Sequence, residues 1–188
     1  MSQYLKYIPI VVVVAIYLAR MAEVSAKRVV IKGPVQEKNT FRFFMISGLI
    51  AVFGGITEYC FSGMQYHWVQ IAIGILLALS SFALRKAAIE ALGQFWSLHI
   101  EIRENHQFVR TGPFRWMRHP TYFSMILETL SVILILQSYI SGVLAFLIFI
   151  PALLARLRKE EIAMVIKFGS EYEAYQRATP VLFPFRLP

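Results

Sequence analysis

Residues 119–161 read HPTYFSMILETLSVILILQSYISGVLAFLIFIPALLARLRKEE. Two apolar blocks, Tyr122 to Leu136 and Ile140 to Leu157, are separated only by the uncharged QSYISG. Arginine stands just before the first block, at Arg118, and at the end of the second, at Arg156 and Arg158. A helix needs about 20 apolar residues to cross ~30 Å of hydrocarbon. The pattern therefore predicts a helical hairpin that enters and leaves a membrane on the same, cationic side.

The rest of the chain extends that reading. Of its 188 residues 57% are hydrophobic and only 16% charged, against roughly 25% in soluble domains. Three further apolar blocks precede the hairpin, at about residues 4–19, 43–61 and 68–84. The first could be a signal peptide, with VSA at 24–26 as a weak cleavage site, but a retained helix is expected from a chain that starts at Met1. We thus expect an all-α integral membrane protein with five transmembrane helices. Residues 1–84 form its N-terminal three-helix part, and residues 85–188 form a second part containing the hairpin at about 120–157.

All but one of the 19 lysines and arginines fall between spans one and two, between three and four, or after five; Lys6 is the exception. The positive-inside rule places these segments in the cytoplasm and the N-terminus outside. A net charge of +8 is then a topological signal, and nucleic-acid binding is not expected. A prokaryotic inner membrane is the expected location. The single cysteine, Cys60, cannot form an internal disulfide, and the four histidines lack metal-ligand spacing. No metal site is expected.

The two long cytoplasmic segments look folded. His99 to Arg103 alternates with strand period before a turn at Glu104-Asn105, which predicts a small hairpin or ordered loop. After span five the helix should run on to Gly169 in C-cap position, and Ser170 with Glu173 has capping-box spacing for a short helix through Tyr175.

Three places carry chemistry. Pro120 suits the first residue of span four, so the span's free amides and positive dipole end lie beside Arg118 and His119 and favour anions. Arg115 and Arg118 could equally anchor to phosphates of membrane lipids. Arg156 and Glu160 share a helix face and can pair, while Glu161 points elsewhere. Glu128, about two turns inside span four, is a costly carboxylate in hydrocarbon.

LGQFWS at 92–97, NHQFVRTGPFRWMRHPTY at 105–122, RLRKEE at 156–161 and FGSEYEAYQ at 168–176 together resemble the isoprenylcysteine carboxyl methyltransferase family. The likeness covers roughly the C-terminal half. Phe108 stands where the family usually has leucine, Phe114 where it has tyrosine, and Ser124 where glycine is frequent.

The resemblance implies a membrane-embedded methyltransferase using S-adenosyl-L-methionine and releasing S-adenosyl-L-homocysteine, with its cofactor region between spans three and four and after span five. His106, Phe108, Val109, Phe114, Arg118, His119, Pro120 and Tyr122 would bind the cofactor, with Glu160 on its amino group. Arg156, Glu160 and Glu161 are the expected catalytic residues. Trp96, Glu128 and Arg156 are candidates for the acceptor, a lipophilic small molecule or lipidated carboxylate or phenolate arriving from the bilayer. The alternatives are a phospholipid amine N-methyltransferase and a non-catalytic membrane protein on the same scaffold.

Overall fold

The computed structural model describes residues 2–26, 35–37, 39–96, 100–101 and 108–182. Its helices are α1 (Ser2–Leu5), α2 (Ile8–Ser25), α3 (Asn39–Leu49), α4 (Gly55–Phe61), α5 (Trp68–Leu92), α6 (Pro120–Leu136), α7 (Tyr139–Phe168) and α8 (Ser170–Ala178). A π turn at Ile50–Gly54 fuses α3 and α4 into one apolar rod. Two strands, β1 (Val35–Glu37) and β2 (Ile100–Glu101), pair antiparallel. The strand expected near residue 100 thus finds its partner in the linker after the first span. The expected turn at 104–105 lies outside the described residues.

Among the described residues four helices are long and apolar enough to cross a membrane: Ile8–Ser25, Thr40–Phe61, Trp68–Phe95 and Tyr139–Phe168. The fifth expected span is the apolar helix α6, whose 17 residues give about 25 Å at 1.5 Å per residue. In contrast α7, with 30 residues, reaches about 45 Å. It is thus longer than ~30 Å of hydrocarbon requires, and its charged residues lie in its last turns, from Arg156 on. Pro151 lies within this single helix.

α5 packs along α6, and α3 along α7. The first contact is close because position 74 is glycine: a Cβ there would lie 2.5 Å from Ile135 Cγ1 and 2.9 Å from the Ser131 carbonyl. The α6–α7 turn is Gln137-Ser138, with Gln137 left-handed at φ 53°. Glu58 of α4 accepts from the Ile140 and Ser141 amides at 3.0 and 2.7 Å, satisfying the start of α7 from a neighbouring helix.

At the other end α7 stops where expected, at Gly169, whose φ of +53° suits a residue without a Cβ. Gly169 is also the N-cap of α8, so Ser170 is the first helical residue and not the cap. The expected capping box is therefore replaced by a glycine junction, and α8 runs to Ala178.

Candidate active site

The chain before α6 is pinned from the C-terminal side. The Arg118 amide donates to the Pro180 carbonyl at 2.9 Å and the His119 amide to the Val181 carbonyl at 3.1 Å. Pro120, with no amide hydrogen, opens the helix. Arg118 and His119 thereby face the charged end of α7.

A continuous polar chain results. Arg156, 3% exposed, donates from Nε to the Tyr122 hydroxyl at 2.6 Å and from NH1 to Thr40 Oγ1 at 3.5 Å. The Tyr122 hydroxyl donates to Glu160 Oε1. Glu160 Oε2 lies 3.4 Å from His119 Nδ1, and His119 Nε2 lies 2.6 Å from Glu161 Oε1. Arg156 and Glu160 do share a face, but at 3.4 Å the tyrosine hydroxyl, not a direct ion pair, is the tighter link. Glu161 points away from Arg156 and is bridged back to Glu160 by His119.

Glu161 is the more heavily held carboxylate. It accepts from Arg118 Nε at 3.1 Å, Tyr172 at 2.9 Å and Gln176 at 2.6 Å. Arg118 NH2 lies 2.9 Å from its other oxygen, and NH1 donates to the carbonyls of Gln176 and Thr179 at 2.7 and 2.8 Å. All three nitrogens of Arg118 are thus committed inside the protein. They brace Glu161 and the C-terminal segment.

Burial disfavours a charged His119, but its hydrogen bonds to Glu160 and Glu161, with their negative charge, outweigh it and hold the imidazole above its ordinary range. Burial likewise disfavours the Glu161 carboxylate, and the His119 hydrogen bond and charge, Gln176 and Arg118 outweigh it, pulling it down to about 2. His119 is raised, so its contribution to stability is complete below about 6.5 and fades as pH rises through its folded value. Glu161 is lowered, so its contribution is present above about 4.3 and fades as pH falls toward about 2. The pair therefore stabilises most between these limits. In thermal melts, His119→Gln should be most destabilising near pH 5.5 and approach wild type as pH rises through the raised folded value of His119; a gap independent of pH would contradict the charged pair.

Aromatic rings close the side of the site next to α8. Phe108 packs edge-on against Phe168 and Tyr172, with centroids at 4.9 and 5.4 Å, and Arg110 lies over its ring at 4.4 Å. Val109 is half-buried and Phe114 buried, the Phe114 carbonyl accepting from Tyr175 at 2.6 Å. His106 lies outside the described residues. Trp96 is half-buried just past the turn that ends α5.

Glu128 belongs to a different cluster. Arg20 of α2 donates Nε to both its oxygens at 3.1 and 2.9 Å, with NH2 at 2.8 Å from Oε2 and 3.1 Å from Ser81, and NH1 on Glu23. Ser81 donates to the Ser124 carbonyl at 2.8 Å, and Arg85 donates to the Ser124 hydroxyl at 3.2 Å. Glu128 is thus a buried ion-pair partner that docks α2 on α6, not a group facing Tyr122. Removing one partner of such a pair costs about 3–5 kcal/mol. Arg20→Ala should lower the thermal midpoint sharply and Arg20→Met/Glu128→Leu should recover part of the loss; an unchanged midpoint in Arg20→Ala would count against this docking role.

The arrangement of arginine, tyrosine, histidine and two glutamates at the α6–α7 mouth can be set beside known proteins. The model of the isoprenylcysteine carboxyl methyltransferase (ICMT) family matches residues 72–166, half of the chain and nearly all of α5, α6 and α7. The chain belongs to this family. Protein-S-isoprenylcysteine O-methyltransferase B of Arabidopsis thaliana is 28% identical over 90% of this chain and 85% of its own length. The Mus musculus protein-S-isoprenylcysteine O-methyltransferase is 30% identical over 64% of this chain and 43% of its own.

The ICMT fold is also seen directly. A solved structure of the eukaryotic intramembrane Ras methyltransferase ICMT superposes with a TM-score of 0.64 at 23% identity, over 76% of this chain and 52% of that one. The chain therefore covers most of the plant relative and about half of the mouse protein and of that structure. ICMT membership makes it an integral membrane protein of a methyltransferase family.

Thr40 and Phe44 of α3, Tyr172 and Gln176 of α8, and Thr179–Leu182 were not anticipated as neighbours of the site. Tyr172 and Gln176 lie in the FGSEYEAYQ motif without having been given a role, whereas Thr40 and Phe44 reach the site from a distant part of the chain, beyond any spacing argument.

Proposed function

We propose that this ICMT-family chain is an S-adenosylmethionine-dependent methyltransferase that O-methylates a carboxylate or phenolate on a lipophilic, membrane-partitioned acceptor. The observation that carries this reading is the buried Arg156, held by Tyr122 where α3, α6 and α7 meet. A guanidinium in that position binds an oxyanion through its planar fork. The relatives' names, protein-S-isoprenylcysteine O-methyltransferase, point to the same acceptor chemistry.

The residues present fit the cofactor. Glu160, with its side chain 23% exposed, is the more open carboxylate and suits an ammonium group. The start of α6 has no side-chain cap, so its amides suit a carboxylate. Tyr122, stacked on His119 at 5.7 Å beside these groups, offers its ring to a cation. Phe108, Val109, Phe114 and Pro120 supply apolar wall for adenine, and His106 of the same segment completes the proposed set.

When bound, the cofactor supplies a methyl group activated by a positive sulfonium. The chain's own residues do the rest. Arg156 orients the acceptor oxyanion, Tyr122 and Glu160 hold Arg156, and His119 with Arg118 fixes the two glutamates. Helices α3, α6 and α7 exclude water, so the opposite charges of the reactants attract strongly and alignment supplies much of the rate. The same reading places five crossings in the membrane, with the N-terminus outside and the site cytoplasmic.

Methyl-labelled cofactor, purified protein and membrane lipid extract provide the test. Label recovered in a neutral ester, released as methanol by base, agrees with a carboxylate acceptor. Label recovered in a base-stable methylated amine would overturn O-methylation in favour of phospholipid amine N-methylation.

A further inference from the structure

The C-terminal segment after α8 crosses the site as a strap. Its carbonyls at Pro180 and Val181 accept from the Arg118 and His119 amides, and its Thr179 carbonyl accepts from Arg118 NH1. Thr179 is 7% exposed. Beyond these bonds Val181 and Leu182 turn into the bundle, half-buried against the cluster of Phe44, Tyr122, Phe149 and Leu153. That cluster lies directly beside Arg156: its guanidinium is 5.9 Å from the Phe44 ring centroid and 5.8 Å from that of Tyr122.

These contacts place one apolar wall next to the oxyanion-binding arginine. An acceptor whose charged group sits on Arg156 must lay its next atoms against Phe44, Tyr122 and the strap. The helices can change this wall little, because Phe44 packs at 5.3 Å on Phe149 and 6.3 Å on Tyr122. The strap is different, as main-chain hydrogen bonds fix its path while leaving the side chains at 181 and 182 free to vary. A tail-selecting wall is therefore decoupled from the catalytic groups.

We infer that Val181 and Leu182 form the acceptor-facing wall of the site and select among apolar tails of different bulk. The inference rests on the O-methyltransferase reading above. Its test uses the full chain in detergent, with Val181→Ala, Leu182→Ala and Leu182→Met. The probes are N-acetyl-S-alkylcysteines with tails from butyl to farnesyl. For each protein kcat/KM is measured along the series and S-adenosylhomocysteine affinity by calorimetry.

Either alanine variant should raise the farnesyl-to-butyl ratio of kcat/KM at least tenfold, with Leu182→Met close to wild type and S-adenosylhomocysteine affinity held within about twofold. Two results would overturn the inference and leave the reaction intact. One is an unchanged ratio, with or without weakened affinity. The other is a wild-type protein that binds S-adenosylhomocysteine but methylates no member of the series. A wild-type protein that does not bind S-adenosylhomocysteine would instead remove the methyltransferase reading on which the inference rests.

Discussion

Arg156→Ala lowers methyl transfer by a factor on the order of 10² to 10³ while S-adenosylhomocysteine affinity changes only a few-fold. The first half follows from burial: at 3% exposure a guanidinium is not replaced by water, and losing one partner of a buried charge interaction costs about 3–5 kcal/mol. The second half follows from connectivity. Glu160 keeps Tyr122 and His119 as partners when Arg156 is removed, so the group proposed for the cofactor ammonium stays in place. Arg156→Lys should rescue only partly, because a lysine cannot offer the planar fork. Equal losses of turnover and affinity in Arg156→Ala would contradict this division of labour.

Glu160→Gln weakens S-adenosylhomocysteine binding about 10- to 100-fold and lowers turnover with it. The change removes one charge-assisted hydrogen bond to an ammonium, which contributes about 1.5–3 kcal/mol, and leaves the shape almost unaltered. Glu161→Gln is the informative companion. Its carboxylate serves Arg118, His119, Tyr172 and Gln176, so its loss should appear mainly as a lower melting temperature. Calorimetry and thermal melts on the two variants separate these roles.

The hairpin of α6 and α7 was legible because its information is local. Apolar runs, a proline at the start, a glycine at the end and charge on one side fix it without reference to the rest of the chain. Arg156 and Glu160 were legible for the same reason, being one turn apart. Tyr122 was expected near them from the resemblance, yet its insertion between them was not legible, since i,i+4 spacing says nothing about a side chain arriving from another helix.

Glu128 shows the limit more clearly. Its cost in hydrocarbon was legible, but its partner Arg20 lies 108 residues away, beyond any spacing argument. The Thr179–Leu182 strap leaves even less trace, because its contacts with residues 118 and 119 are largely main-chain and any non-proline residue at those positions could donate them. The bounds of α6 were legible, by contrast, with Pro120 opening it and Leu136 closing it, because both signals are local.

The most direct test of the central claim is a calorimetric titration of S-adenosylhomocysteine into the purified full chain in detergent, for wild type and Glu160→Gln side by side. Saturable binding at one site per chain, weakened at least tenfold by the substitution, is the result expected. Absence of binding to wild type, or equal affinity in the two proteins, would contradict the assignment of the Arg156–Tyr122–Glu160–His119 array as a methyltransferase site.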